Sequence, residues 1–153
     1  MTVITSAGTK LFIGTTQEDE GSDVYTEIGE VVDWPEFGRV YELITHNPIN
    51  NRKTFKFKGS FNDGSLALGI GKDVTDAGQA LALIALDSDL DHNFKVEFND
   101  TPLPPSSTPT TMTFKGKIMS YTTNPTNVNS IVSSTLSIEI SGAITETAAQ
   151  AIT

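Results

Sequence analysis

The stretch Phe55–Leu90, FKFKGSFNDGSLALGIGKDVTDAGQALALIALDSDL, decides the fold of this chain. In its first part phenylalanines alternate with lysines, which is the period-two pattern of a strand with one buried face. Asn62-Asp63-Gly64 is a tight-turn signal, and large apolar residues alternate with small ones after it. Together these signals predict a β-hairpin over Phe55–Ile70.

The second part of the stretch predicts the one helix of the chain, over Asp73–Leu90. Its alanines and leucines are strong helix formers, Asp73 or Thr75 can cap its start, and Asp76 suits its first turn. Large apolar side chains cover two adjoining stripes, so we expect the helix to pack broadly against a sheet. One stripe holds Leu81 and Ile84, and the other holds Leu83, Leu86 and Leu90.

Strand signals continue outward from this stretch in both directions. They fall at Lys10–Gly14, Val24–Val32, Gly38–His46, Phe94–Phe98, Met112–Tyr121 and Ile131–Ile144. No repeat and no break in composition divides the 153 residues, so 1–153 is predicted to be a single domain. We expect a mainly β fold, with two packed antiparallel sheets as a sandwich or partly closed barrel, and one α-helix as a lid.

Four segments are predicted to be irregular. Residues 102–111 are rich in proline, which removes the donors that a central strand needs. Residues 46–54 form a loop by composition, because Asn-Pro and Asn-Asn pairs favour turns. Residues 1–9 and 145–153 are expected to be terminal arms.

The spacing of the apolar residues also predicts the buried core. Alternate residues of each strand should point inward, together with the apolar stripes of the helix. The expected core consists of Phe55, Phe57, Leu66, Leu68, Leu81, Ile84, Phe94, Val96, Phe98, Phe114, Leu136 and Ile138.

The composition bounds the function classes. The net charge is −9, from 19 acids and 10 bases, and tight binding of nucleic acid needs an excess of Lys and Arg. The absence of cysteine excludes disulfides and thiolate metal sites. The sequence has neither an apolar run of about 18 residues nor the apolar core of a signal peptide. We therefore expect no membrane insertion, and synthesis in a cytoplasm.

No catalytic residue is predicted, and the chain is not expected to be an enzyme. The histidines, His46 and His92, are the only ones in the sequence, and no Gly-x-Ser-x-Gly elbow accompanies them. Both are interpreted as surface residues.

No metal or cofactor site is predicted either. Asp87, Asp89 and Asp91 resemble the start of a calcium loop. The sixth and twelfth positions, however, hold His92 and Phe98 where such a loop needs Gly and Glu. Residues 69–74, GIGKDV, lack the third glycine of a dinucleotide loop and the Gly-Lys-Ser/Thr ending of a phosphate loop.

Two blocks of opposite charge stand out. The segment from Glu18 to Glu42 contains a single base, Arg39, and nine acids. These acids are Glu18, Asp19, Glu20, Asp23, Glu27, Glu30, Asp33, Glu36 and Glu42. A block of bases without any acid follows: Arg52, Lys53, Lys56 and Lys58. Complementary patches on one chain favour head-to-tail contacts between copies, which close into rings or grow into filaments.

In the order and spacing of its motifs, the sequence resembles the major tail tube proteins of long-tailed, non-contractile (siphovirus-type) phages. The likeness runs from about Lys10 to Ile144. The segments that carry it are Val24–Val31, Gly38–Thr45, Phe57-Lys58-Gly59, Asn62-Asp63-Gly64, Asp76–Leu81 (DAGQAL), Phe94–Asp100, Phe114–Ile118 (FKGKI) and Ile138–Gly142 (IEISG).

The resemblance implies two packed antiparallel sheets with one helix, in six copies that form a ring. Rings would stack through a long loop and the terminal arms into a tube, located in the virion tail, with tip and terminator proteins at its ends. The implied inter-subunit loop holds His46, Asn47, Pro48, Asn50, Asn51, Arg52 and Lys53.

The lumen of such a tube passes DNA and is typically acidic, because acids repel phosphate. The candidate lumen acids on this chain are Glu27, Glu30, Asp33, Glu36 and Glu42. Strand parity is irregular around Gly29 and Trp34-Pro35, which leaves open which of these acids point inward.

Two alternatives remain at this stage. One is a carbohydrate-binding or adhesive β-sandwich, for which Trp34, Tyr25, Tyr41 and Tyr121 are the available aromatic side chains. The other is the tube of a contractile tail or a secretion apparatus, which follows the same physics.

Overall fold

The computed structural model describes residues 3–16, 23–102 and 107–151. Within these ranges it contains nine strands and one helix. The elements are β1 (Lys10–Ile13), β2 (Thr26–Ile28), β3 (Val31–Asp33), β4 (Val40–His46), β5 (Phe55–Asn62), β6 (Ser65–Gly71), α1 (Ala77–Leu86), β7 (His92–Glu97), β8 (Thr111–Asn124) and β9 (Ser133–Thr147).

The strands form two antiparallel sheets. Seven of them pair in the order β2-β1-β7-β8-β9-β6-β3, and β4 pairs with β5 in a sheet of two. This confirms the prediction of a mainly β chain with two antiparallel sheets and one helix, although the larger sheet is not closed into a barrel.

The two edge strands of the larger sheet are consecutive in the chain. Only Gly29 and Glu30, which we call the junction, separate β2 at one edge from β3 at the other. So short a connection requires the sheet to curl until its edges approach each other. The junction bends through a positive φ of 64° at Glu30, whose carbonyl oxygen accepts a hydrogen bond from Gly71 N at 2.8 Å.

The core lies inside this curl. Alternate residues of its strands are buried against one another, and Ala82 and Ala85 of α1 close the cluster. The predicted core residues that are buried are Leu66, Leu68, Phe94, Val96, Phe114, Leu136 and Ile138. Phe98 is partly buried against them. Phe94 and Phe114 stack with ring centroids 5.6 Å apart.

The predicted hairpin over Phe55–Ile70 is wrong. β5 pairs with β4, whereas β6 pairs with β9 and β3. Asn62-Asp63-Gly64 does turn the chain, with φ of 89° at Gly64, but the turn carries it from one sheet to the other. Phe55 and Phe57 therefore do not belong to the core, and both are exposed.

The helix is shorter than predicted and buries a different face from the predicted one. It spans Ala77–Leu86, and Asp76 is the N-cap in place of Asp73 or Thr75. Its buried residues are Gly78, Gln79, Ala82 and Ala85. The predicted core residues Leu81 and Ile84 face outward, because small side chains allow α1 to lie close to the sheet.

The predicted irregular segments are distributed as follows. His46 ends β4, and residues 47–54 connect it to β5. Thr111 begins β8, and residues 145–147 belong to β9. Thr108 and Gln150 form an isolated bridge, which ties the segment after the prolines to the chain beyond β9. Residues 1–2, 17–22, 103–106 and 152–153 lie outside the described residues, and with them Glu18, Asp19 and Glu20.

Candidate assembly surfaces

The two-stranded sheet β4–β5, here called the ribbon, projects from the domain. Its register pairs Tyr41 with Phe61, and Ile44 with Phe57. An extra residue of β5 bulges opposite Glu42. All residues of β4 and all of β5 except Gly59 are exposed, and among the described residues the ribbon shares no extended interface with the seven-stranded sheet or α1. A lone two-stranded sheet is marginally stable in water, so the ribbon is an element without its packing partner.

A charged contact holds the base of the ribbon. Arg39 precedes β4, and its Nε donates a 3.0 Å hydrogen bond to Oδ1 of Asp63, which follows β5. Asp63 is buried, and the hydrogen bond that it accepts raises the pKa of Arg39, as does a second one accepted by the Tyr41 side chain. This contact ties the two strands together where they leave the domain.

One face of the ribbon, here called its basic face, is covered by its own cations. It carries Tyr41, Leu43, Thr45, Lys56, Lys58 and Phe61. The guanidinium of Arg39 lies 4.0 Å from the Phe61 ring centroid, and Nζ of Lys58 lies 4.7 Å from that of Tyr41. Long cationic side chains thus cover the rings and present their charges to water.

The opposite face, here called the apolar face, is more hydrophobic. It carries Val40, Ile44, Phe55 and Phe57, with Glu42 and His46 at intervals. Phe57 is 55% exposed and Ile44 is 51% exposed. Only at its tip does a cation cover a ring within the described residues: Nζ of Lys53 lies 5.3 Å from the Phe55 centroid.

The predicted inter-subunit loop forms the tip of the ribbon. Asn51 N donates to the carbonyl oxygen of Pro48 at 3.5 Å, and Lys53 N donates to Oδ1 of Asn51 at 2.9 Å. The His46 and Phe55 rings lie 6.4 Å apart. The tip therefore presents Asn47, Asn50, Arg52 and Lys53 to solvent on a locally ordered turn.

The five candidate lumen acids are exposed but lie on separate elements. Glu27 is in edge strand β2, Glu30 is in the junction, and Asp33 ends edge strand β3. Glu36 lies between β3 and β4, and Glu42 lies on the ribbon. In a single copy they do not form one continuous strip along a strand.

The bases of the seven-stranded sheet, in contrast, face polar partners. Nζ of Lys117 donates to Asp91, and Nζ of Lys115 donates to Asn93 Oδ1 at 2.9 Å. Lys95 pairs with Glu97 at 3.7 Å and also lies over the rings of Phe12 and Tyr25. This region carries both signs of charge close together.

Sequence reasoning missed the role of Gln79, which is buried in α1. Its Nε2 donates to the carbonyl oxygens of Gly29 at 3.2 Å and Gly71 at 3.0 Å. Its Oε1 accepts from Asp73 N and from the Tyr121 hydroxyl, each at 3.0 Å. The signal was present in the sequence, because Gln79 is the only polar side chain among the ten residues of α1.

Two neighbours of Gln79 complete the attachment of the helix to β2. Asp76 accepts hydrogen bonds from Gln79 N at 2.9 Å and from Gly29 N at 3.1 Å. A Cβ atom at Gly78 would collide with the carbonyl oxygen of Glu27, so the close approach of α1 to β2 requires glycine. The motif DAGQ thus fixes the helix to the junction.

The described residues bring no metal-binding cluster together. They contain no group of three or more His, Asp or Glu side chains that could hold a metal. No helix within them is long and apolar enough to cross a membrane. Nδ1 of His92 lies 3.2 Å from the carbonyl oxygen of Leu90.

The aromatic side chains proposed for a carbohydrate site lie on separate parts of the fold. Trp34 and Tyr121 are partly buried against the core. Tyr41 is on the ribbon beneath Lys58, and Tyr25 is beneath Lys95. The exposed aromatic residues that do come together are those of the ribbon.

No family model matches the chain, and no curated protein matches its sequence. Solved structures match its fold. A chain of the anti-feeding prophage baseplate, symmetrised six-fold, superposes with a TM-score of 0.75 at 15% identity, covering 97% of each chain. A chain of the SPP1 tail tube gives 0.68 at 14% identity, covering 95% of this chain and 80% of that one.

A third similar structure is a chain of the sheath–tube complex of an extracellular contractile injection system. It gives a TM-score of 0.63 at 11% identity, covering 95% of this chain and 92% of that one. At these identities the likeness shows a shared fold.

Proposed function

We propose that this chain is the repeating structural subunit of a phage-type tail tube, with no enzymatic role. Six copies form a ring, and rings stack into a tube in the virion tail. One observation carries the proposal. The ribbon exposes apolar side chains along a strand pair in which every residue except Gly59 is exposed. Burying such a surface requires a partner.

The shared fold supports a copy of the same chain as that partner. The SPP1 structure is a tail tube, and the contractile injection structure is a sheath–tube complex. Other matching chains come from a tube-terminating cap and a sheath/tube terminator, which supports end proteins as further partners of this chain.

The proposed bore of the tube carries net negative charge and conducts DNA during ejection. The chain has an excess of nine acidic charges, and the candidate lumen acids are exposed. Negative charge keeps phosphate from binding the wall, whereas a basic wall would retain DNA in proportion to its contacts.

A second candidate function is the tube of a contractile injection apparatus. It is favoured by the matches to a sheath–tube complex and to a sheath/tube terminator. Cryo-EM of the native particle separates the two, because a contractile particle has a sheath around the tube and a non-contractile one does not.

The experiment that tests the tube proposal is assembly of the purified chain. We expect hollow tubes or stacked rings by negative-stain microscopy. We also expect a sedimentation coefficient that increases with protein concentration. A chain that stays monomeric over the whole concentration range, with and without end proteins, would overturn the proposal.

A further inference from the structure

The outer face of α1 lacks the polar side chains that a surface helix needs. The only polar residue of the helix, Gln79, is buried, and the helix contains no charge. The outward side chains are Ala77, Ala80, Leu81, Leu83 and Ile84. A surface helix normally directs its polar face to water, and a helix that is apolar all round is normally buried.

The exposed apolar area extends past both ends of the helix. Ile84 is 66% exposed in the last turn of the helix, Val74 is 85% exposed before the helix, and Leu90 is 60% exposed after it. Exposed apolar side chains grouped in this way mark an interaction site on a protein surface. Nothing in the chain's own described residues covers it.

We infer that the outer face of α1 receives the apolar face of the ribbon from a second copy of this chain. The inference rests on the proposed function and identifies the two surfaces that meet between subunits. The two surfaces suit each other in length. α1 is about 15 Å long at roughly 1.5 Å per residue, with exposed Val74 and Leu90 beyond its ends, and β4 is about 23 Å long at roughly 3.3 Å per residue.

Charge complementarity selects a second copy as the occupant. Between Asp73 and Asp91 there are five acids and no base, and of these Asp87 and Asp89 are exposed just beyond α1. The tip of the ribbon carries two bases, Arg52 and Lys53, and no acid, whereas Lys56 and Lys58 lie on its basic face. Lys53 lies at the end of the apolar face, where it can meet these acids.

The arrangement of the two surfaces requires a head-to-tail contact. Among the described residues no extended contact joins the ribbon to α1 of its own chain. Each copy therefore binds one neighbour through its ribbon and another neighbour through its α1. In a closed ring of such contacts neither surface remains exposed.

The basic face of the ribbon is the less suitable surface for this contact. Its rings already lie beneath Arg39 and Lys58, so docking there would strip water from two cations. Phe57 and Ile44, on the apolar face, carry no such cover among the described residues.

Cysteine cross-linking tests the inference directly, because the chain contains no cysteine of its own. Ile44→Cys and Ile84→Cys are prepared as separate single variants, mixed under assembly conditions and oxidised. We expect a disulfide-linked dimer from the mixture, and at most a trace from either variant alone. The matched control replaces Ile44→Cys by Val128→Cys, at a position 98% exposed on the loop between β8 and β9.

Equal cross-linking of the Val128→Cys control, or efficient linking of Ile84→Cys to itself, would overturn the inference. A second variant, Ile84→Lys, should retain the melting temperature of the monomer, but its critical concentration for assembly should rise at least tenfold. Val128→Lys should assemble normally. Normal assembly of Ile84→Lys refutes the surface assignment alone. Failure of the unmodified chain to assemble refutes the proposed function itself.

Discussion

Gln79 donates a hydrogen bond to the carbonyl oxygen of Gly29, a residue 50 positions earlier in the chain. Through Gly71 and Tyr121 the same side chain also reaches β6 and β8. It thereby joins the helix to the junction between the two edge strands and to two inner strands of the curled sheet.

Replacing Gln79 by leucine should therefore be strongly destabilising. Four polar groups would lose their partner inside the protein, and each buried unsatisfied group costs about 1–3 kcal/mol. We expect the free energy of unfolding to fall by about 3 kcal/mol or more in urea denaturation. Tyr121→Phe, which removes only one of these hydrogen bonds, should lower it by about 1 kcal/mol. Equal effects of the two substitutions would contradict a central role for Gln79.

Gly78→Ala should destabilise the protein although it raises helix propensity. In an open helix this exchange stabilises by about 1 kcal/mol, but here the new methyl group meets the backbone of β2. The expected result is a lower melting temperature and slower docking of α1. The reverse exchange at an exposed position, Ala80→Gly, should cost only about 1 kcal/mol. A Gly78→Ala protein more stable than the original would show that α1 does not lie so close to β2.

Stability should decline in acid through carboxylates that accept hydrogen bonds. The hydroxyl and backbone N–H of Thr110 lower the pKa of Asp100. In Asp23, burial acts in the opposite direction, but hydrogen bonds from Asn93, Thr15 and Val24 still lower the pKa.

Because these pKa values are depressed in the folded state, their stabilisation is complete above the unfolded value of about 3.9. It is lost as pH falls below that value. We expect the urea midpoint of unfolding to be nearly constant from about pH 6 to about pH 4 and to fall steeply between about pH 4 and about pH 2. Asp100→Asn should flatten this dependence, whereas Asp89→Asn, at an exposed site beyond α1, should leave its shape unchanged.

Phe114 and Phe57 both lie in strands with alternating apolar residues, but truncating them should affect different properties of the protein. Phe114→Ala removes a fully buried ring and should lower the free energy of unfolding by about 3–5 kcal/mol. Phe57→Ala, on the apolar face of the ribbon, should change monomer stability by less than about 1 kcal/mol and should weaken assembly. Thermal unfolding together with sedimentation distinguishes these effects. A large loss of monomer stability in Phe57→Ala would place the ribbon inside the domain.

Shortening the tip of the ribbon should separate folding from assembly. Replacing Asn47–Arg52 with a short Gly-Ser turn leaves the core untouched and should give a folded monomer that no longer polymerises. Near-native circular dichroism and the absence of tubes in negative stain are the expected results. The control is the same replacement in Asn127–Ser130, which connects β8 to β9 and should not affect tubes. Tubes of normal length from the shortened ribbon would contradict its bridging role.

The sequence was sufficient to predict which strands have an apolar face, but not what covers that face. Leu66, Leu68, Leu136 and Ile138 alternate in strands whose apolar faces meet within the domain, so periodicity predicted their burial correctly. Phe55 and Phe57 show the same period on a ribbon with no partner in its own chain. Periodicity carries no information about whether a neighbour is the same molecule or another copy.

The turn and the helix show a similar limit. Asn62-Asp63-Gly64 has the chemistry of a turn and does turn the chain, but local chemistry does not select the next pairing strand. In α1 the size of the apolar residues pointed to the wrong face. The buried face is chosen by close approach, which favours Gly78, Ala82 and Ala85, and by the hydrogen bonds of Gln79.

Because β2 and β3 are short, the edges of the larger sheet offer few sites for non-native strand pairing between unassembled copies. Each of these edge strands has three residues, too few to template a foreign strand along the larger sheet. The ribbon strands have seven and eight residues, and each of them pairs on one side only. Off-pathway aggregation by strand addition should therefore begin at the ribbon, and a chaperone that prevents it would need to cover the two open edges of the ribbon.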